Sequence, residues 1–378
     1  MALINYKLGE LIEEIDRRNS DRKYDISFVR GISNAKEITK TKADVDDSVI
    51  SKFYVILPNE FIYNPRTTRM GEKVGLGYNN ANTPVLFTFN NIAFRVKPSA
   101  KSKLLSDYLY IYYNRSEFDR YAMAHSWGSA TELFTFEEMC NIDIALPDIT
   151  IQQKYVDVYN AMVANQQSYE RGLENLKLVC DGYIEDLRRK RPCEKIGQYL
   201  IESDQRNDCG LSETAVRGLS TNKEMIPTKA NMDGVGLDNY KTVRPGQIAY
   251  VSDTSRRGDK ISLGFNDTDD TFLVSSISTV FGTKTDHLIP EYLMLFLTRT
   301  EFDRYARFNS WGSARETFDW EEMCNIQIPI PDITDQKAIA EVYAVYVKRK
   351  KINEQLKEQI KDICPILIKG SLEEGKND

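Results

Sequence analysis

The sequence is poor in the residues that metal and nucleophilic chemistry require. It holds only two histidines, His125 and His287, and His125 falls at Asn309 in the second copy of an internal repeat. A histidine-based triad or metal site common to both copies is therefore excluded. No glycine-rich loop ending in Gly-Lys-Ser or Gly-Lys-Thr occurs, and no strand-linked Gly-x-Gly-x-x-Gly, so a nucleotide site of either kind is not expected. The six cysteines include no Cys-x-x-Cys pair. They read as free thiols of a reducing compartment, with Cys140 and Cys324, and Cys180 and Cys364, as repeat equivalents and Cys193 and Cys209 unmatched. No apolar run approaches the ~18–20 residues of a membrane span. The N-terminus lacks the basic-then-apolar layout of a signal peptide, so a cytoplasmic location is expected. Positive charge is not in surplus either, the formal net charge being -6. That argues against indiscriminate coating of nucleic acid but leaves room for a local basic surface.

What the sequence does contain is one unit written twice. Residues 115–150 and 299–334 share 25 identities in 36 positions at a constant offset of 184. A fainter repeat at an offset of 187 relates Val29-Arg30-Gly31-Ile32-Ser33 to Val216-Arg217-Gly218-Leu219-Ser220, and the stretch from Thr67 to Asn79 to that from Thr254 to Asn266. Two units of about 185 residues thus fill a chain of 378, alike in their second halves and divergent in their first. The gradient points to one scaffold carrying two different recognition surfaces. A length of 378 residues also exceeds what one core usually serves.

Taken in order, residues 6–18 predict a short strand or turn and one amphipathic helix with Leu8, Leu11, Ile12 and Ile15 on a face. Short apolar segments between Gly, Asn and Pro turns follow and predict strands of a mixed or antiparallel sheet. Residues 104–124 have helical spacing, and Ile142 to Pro147 reads as a strand. From Thr150 the texture changes, for residues 151–190 contain no proline and carry a heptad seam. The seam includes Tyr159, Tyr169, Leu173, Leu176, Tyr183 and Leu187, interrupted by Gln166. Its second copy carries Tyr343, Tyr346, Leu356, Ile360 and Ile363, interrupted by Arg349, Lys350 and Asn353, with Pro365 expected to stiffen or end the helix. Helices of this length span on the order of 45–60 Å, more than one duplex turn of ~34 Å. The expected class is α+β: a head over 1–150, a helix over 151–191, a second head over 192–334, a second helix over 335–370 and a flexible tail over 371–378. The two helices are expected to pair as an antiparallel coiled coil under pseudo-two-fold symmetry.

Two short motifs invite catalytic readings and fail them. Asn64-Pro65-Arg66-Thr67 approaches the Asn-Pro-Pro-aromatic motif of amino-group DNA methyltransferases, but its repeat equivalent is Val251-Ser252-Asp253-Thr254, so a turn is predicted. Pro147-Asp148 and Pro331-Asp332 stand just before the long helices, where an aspartate caps an N-terminus. The whole arrangement of head, helix, head, helix, with Pro-x-x-x-x-Gln at each junction (Pro147 to Gln152, Pro331 to Gln336), resembles the specificity subunit of type I restriction-modification systems. The resemblance implies a non-catalytic subunit whose heads each read half of a split, asymmetric duplex DNA target across a helical spacer. It also implies docking of two methyltransferase subunits that carry S-adenosylmethionine, and of restriction subunits in the full complex, while this chain itself holds no cofactor and no metal.

The residues of the heads add where DNA is expected to lie. Residues 61–103 hold seven Lys or Arg against one acid, and 241–263 hold five against two. Arg66, Thr67, Thr68, Arg69 and Lys73, with Thr254, Ser255, Arg256, Arg257 and Lys260, offer guanidinium groups and small hydroxyls suited to guanine edges and phosphates. Ser126, Trp127, Gly128, Ser129 and Thr131, with Ser310, Trp311, Gly312, Ser313 and Arg315, form a second candidate loop, in which the shared tryptophans favour a structural role. The differences between copies, His125 against Asn309 and Thr131 against Arg315, are expected to choose sequence. Two alternatives stay open: a recognition subunit of a related type II or type IIB modification enzyme, and a coiled-coil interaction scaffold that does not bind DNA.

Overall fold

The computed structural model describes residues 3–33, 35–41, 44–67, 73–128, 131–254, 260–312 and 316–377. The chain divides into two compact units, one made of Met1–Ser168 with Asn353–Asp378 and the other of Tyr169–Ile352. Each long helix therefore contributes to both units, whereas the linear reading assigned every helix a segment of its own.

In the first unit a four-stranded antiparallel sheet runs in the order Ile12–Ile15, Ile92–Val96, Phe61–Tyr63, Leu76–Tyr78. The strands are short and rich in aromatic and β-branched residues, which fit a pleated surface, and the sheet is buried on both faces, with Phe61, Tyr63 and Phe94 in one cluster and Ile15, Ile62 and Ala93 in another. Phe61 faces Phe94 across the ladder, and their rings stack at 5.0 Å. Helices Ser106–Tyr113, Ser116–Ala124 and Phe136–Cys140 supply the rest of the core, where Tyr63, Phe94, Tyr113, Phe118 and Phe134 are buried together. The second unit repeats the plan, with strands Leu200–Ser203, Ser278–Thr283, Ile248–Val251 and Leu263–Phe265 in that order. Its helices Pro290–Leu297, Thr300–Phe308 and Trp320–Asn325 cover a core centred on Tyr250, Phe281 and Phe318.

Several sequence expectations are corrected. Ile12–Ile15 is a strand rather than the end of a helix, because Ile12 pairs with Val96 and Ile15 with Ala93, and only Leu8–Leu11 is helical. The stretch 104–124 is two helices, parted where Asn114 leaves helical geometry. The C-terminal helix runs Ile333–Asn377 straight through Pro365, so residues expected to form a flexible tail are helical. Proline in a helix costs about 3 kcal/mol. Burial of Cys364, Leu367, Ile368 and Ser371 around it opposes that cost. Burial also pushes the Cys364 thiol up to about 12, leaving it protonated and inert.

The junctions between heads and helices are alike in both units. Asp148 accepts from the Thr150 N–H at 2.9 Å before the helix Ile149–Lys190, and Asp332 from the Asp335 N–H at 3.0 Å before Ile333–Asn377. One turn on, Gln152 donates to the carbonyls of Lys103 (2.7 Å) and Pro147 (3.0 Å) and accepts from the Leu105 N–H (3.1 Å). Gln336 does the same with His287 (2.8 Å), Pro331 (2.9 Å) and Ile289 (2.9 Å). A wholly buried amide that satisfies three backbone groups explains the glutamine of the junction.

Within each unit the helix segments lie antiparallel. In the first, Lys154 pairs with Glu374 at 2.9 Å and Gln166 with Asn353 at 3.0 Å. In the second, Arg191 pairs with Asp335 at 3.3 Å and Gly172 lies against Arg349, while Arg299 of the head reaches Asp181 (3.3 Å) and Glu185 (3.1 Å). The expected seam residues are buried or half-buried except Tyr183, which is 50% exposed. Ile184 takes the inward place, wholly buried against the second head. A steady step of seven drifts around a helix of 3.6 residues per turn, and the packing against a globular head follows the true helical phase.

Candidate nucleic-acid interface

The two loops that the sequence kept apart are joined in each head by one small ladder. In the first unit the Thr67 N–H and hydroxyl both donate to the Glu132 carbonyl, at 3.1 and 3.3 Å. Phe134 N–H donates to the Pro65 carbonyl at 2.8 Å, and Trp127 and Leu133 exchange backbone bonds at 3.2 and 3.0 Å. The second unit reproduces it: Thr254 donates twice to Glu316 at 3.0 and 3.2 Å, Phe318 N–H to Ser252 at 2.8 Å, and Trp311 and Thr317 pair at 3.1 and 2.9 Å. Gly128 and Gly312 turn the second loop at φ +147 and +142. An alanine at Gly128 would place its Cβ 2.1 Å from the Thr131 carbonyl, so only glycine fits.

This ladder sorts the expected site residues. Arg66, Lys73, Trp127, Lys260 and Trp311 are exposed, and Thr131 is half-buried. Thr67, Thr254, Ser126 and Ser310 are buried, contrary to expectation. The serine hydroxyls donate to the Ala122 and Ala306 carbonyls and the threonine hydroxyls to Glu132 and Glu316, so all four shape the loops instead of facing solvent. Thr68, Arg69, Ser129, Ser255, Arg256, Arg257, Ser313 and Arg315 lie outside the described residues. The tryptophans, favoured as structural, stand 67% and 64% exposed. Phe308, which the sequence did not single out, is 79% exposed beside that loop. Exposed aromatic side chains are the composition of a surface that meets a partner.

His125 and Asn309, both half-buried, cap the same helix turn in the two heads. His125 stacks on Tyr121 at 3.9 Å with Nδ1 donating to its carbonyl at 2.8 Å, and Asn309 donates to the equivalent Tyr305 carbonyl at 3.0 Å. Asn64 accepts from the Arg66 N–H at 3.0 Å, the expected turn. Three of the basic residues of 61–103 are engaged within the head. Arg95 pairs with Glu13 at 2.8 Å, Lys97 donates to the Gly9 carbonyl at 2.6 Å, and Lys103 lies over the Tyr6 ring.

Sequence reasoning missed a buried ion pair behind the ladder. Lys36 donates to Asp119 at 2.6 Å, and Lys223 to Asp303, with all four side chains almost fully buried. Burial drives both lysines below their ordinary value, and the facing aspartate opposes that shift. A signal was present, since Ser33-x-x-Lys36-Glu37 returns as Ser220-x-x-Lys223-Glu224 and both aspartates sit in the near-identical block.

The fold and its paired loops define a class: tandem α+β heads, each mounted on a pair of helix segments and each offering a ladder with an exposed tryptophan, Trp127 or Trp311. Residues 219–362 match the family model of the type I restriction modification DNA specificity domain. The chain is similar to the S subunit of a type I restriction-modification system from M. genitalium, at 10% identity with a TM-score of 0.58 over 98% of this chain and 96% of that one. The HsdS subunit from Thermoanaerobacter tengcongensis aligns over 98% and 96% at 12% identity with a TM-score of 0.38. None of the curated proteins matches. The resemblance to type I specificity subunits is thus met by a family match in the second half of the chain and by a shared fold along nearly all of it. Among the described residues, no helix is long and apolar enough to cross a membrane.

Proposed function

We propose that this chain is the DNA specificity subunit of a type I restriction-modification complex and reads a split, asymmetric target, one half per head. The observation that carries this is the same ladder built in both units around different residues, Arg66 and Leu133 in one, Asp253 and Thr317 in the other. An identical mount with divergent edges suits two readers of two half-sites. The helices act as an antiparallel coiled-coil spacer and docking surface for two methyltransferase subunits. Those subunits hold S-adenosylmethionine and do the chemistry, restriction subunits join them in the full complex, and this chain is non-catalytic. The setting is the cytoplasm.

The test is a genome-wide map of methylated adenines in cells that carry a compatible modification subunit, with and without this chain. The expected outcome is a split motif with a fixed gap that appears only with the chain. Arg69→Ala and Arg256→Ala are each expected to weaken one half of that motif and leave the other. Co-purification of the partners with no motif would leave a docking scaffold and remove the reading role of the heads.

A further inference from the structure

In each head the basic segment follows the ladder residue Thr67 or Thr254 and ends at Val74 or Ile261, two residues before the strand Leu76–Tyr78 or Leu263–Phe265. Its start is tied to Glu132 or Glu316 by the bonds described above. Its end is tied to the buried ion pair. Asp119 accepts from the Val74 N–H at 3.0 Å while holding Lys36 with its other oxygen. Asp303 accepts from the Ile261 N–H at 3.1 Å, and Lys223 also donates to the Ile261 carbonyl at 2.7 Å. Both lysines sit in the left-handed region, at φ 60 and 66, a conformation that costs a residue with a Cβ energy and persists only where the surroundings impose it. Each closes a turn by donating its backbone N–H to the Ser33 or Ser220 carbonyl, at 3.0 and 3.2 Å.

The exposed neighbours Lys73 and Lys260 lie near enough to the buried lysines for their charges to oppose one another. A buried lysine pair is an expensive way to hold a loop, and an apolar contact of like volume would stabilise as well. Its recurrence in both heads, with each lysine drawn from the divergent half of the repeat, therefore calls for a role other than bulk stability.

Resting on the proposed DNA-reading function, the geometry points to Asp119 and Asp303, whose buried charge Lys36 and Lys223 neutralise, as positioning residues whose side-chain oxygens set the end of each basic segment, and with it Lys73 or Lys260, against the DNA. They touch no base or phosphate. The mount is common to the heads and the mounted residues differ, so one head is adjustable without disturbing the other.

The experiment compares two double variants of the full chain with its modification partner. Lys36→Met/Asp119→Asn removes the charges but keeps an amide oxygen for the Val74 N–H. Lys36→Met/Asp119→Leu removes that acceptor as well. The expected result is that the Asn variant keeps both half-sites, whereas the Leu variant loses preference at one half roughly tenfold or more and keeps the other. Unchanged preference at both halves in a folded Leu variant, or an equal fall at both, overturns the inference. If the wild-type chain directs no motif at all, the DNA-reading function itself fails and this inference falls with it. Hydrogen exchange on the wild-type chain covers the case in which neither variant folds. The Val74 and Ile261 amides are expected among the slow exchangers of their heads, and fast exchange at both removes the proposed mount.

Discussion

Gln166 donates from Nε2 to Oδ1 of Asn353 at 3.0 Å, and both side chains are buried between antiparallel helix segments of the first unit. The heptad pattern marks each as an interruption, yet the two interruptions meet. A polar pair inside an apolar seam fixes alignment, since any shift of one helix along the other strands an amide among aliphatic groups.

Replacing one partner is therefore expected to harm more than replacing both. Gln166→Leu should destabilise the first unit by about 1–3 kcal/mol, the usual penalty for an orphaned buried polar group. Gln166→Leu/Asn353→Leu should recover most of that loss in urea melts while permitting helix self-association, visible in sedimentation. Equal melts for the single and double variants would show that the pair does not act as a pair.

The junction glutamines give a larger effect. Gln336→Leu takes partners from the Ile289 N–H and from the His287 and Pro331 carbonyls in one step. The expected cost is about 2–4 kcal/mol, with the melting transition of the second unit lowered by roughly 5–15 °C. Gln152→Leu should do the same to the first unit and leave the second unchanged, which calorimetry can separate.

At the ladder, binding and stability are expected to part company. Trp127→Ala and Trp311→Ala remove exposed rings, so each should move stability by no more than about 0.5 kcal/mol. Each should nevertheless weaken duplex binding by about 1 kcal/mol or more, read by titration against a fragment carrying the mapped motif. Gly128→Ala is the contrasting control, because it forces a Cβ into the Thr131 carbonyl and should disturb the loop itself.

Acid should loosen the C-terminal end of the long helix. Hydrogen bonds from Lys154 and then Tyr155 hold the Glu374 carboxyl below its ordinary value of 4.5. A carboxyl more acidic folded than unfolded contributes stability above 4.5, and that contribution is lost as pH falls through the folded value. Limited proteolysis is expected to trim the C-terminus faster at pH near 3 than at neutrality, and Glu374→Gln should flatten the difference. A pH-independent pattern in the unaltered chain would show that the pair has no part in holding that end.

The duplicated architecture, the helix caps, the junction glutamines and most of the seam were legible in the sequence because each is a local or strictly periodic signal. A Pro-Asp before a proline-free run announces a capped helix wherever the chain goes next, and 25 identities in 36 positions announce a second copy. Tertiary structure alone decided which residues of the loops face out. The ladder joins Thr67 to Glu132, which lie far apart along the chain, and this pairing buries the threonine hydroxyl and leaves Trp127 in solvent. The Lys36 and Asp119 pair belongs with it, for a charge is affordable inside a protein only where a distant segment supplies its partner, and neither residue alone says which. Ile12–Ile15 became a strand because Ile92–Val96 lay beside it, and Pro365 stayed helical because its neighbours are buried. Local periodicity set the elements, and long-range pairing and burial chose which of their side chains remain to meet a partner.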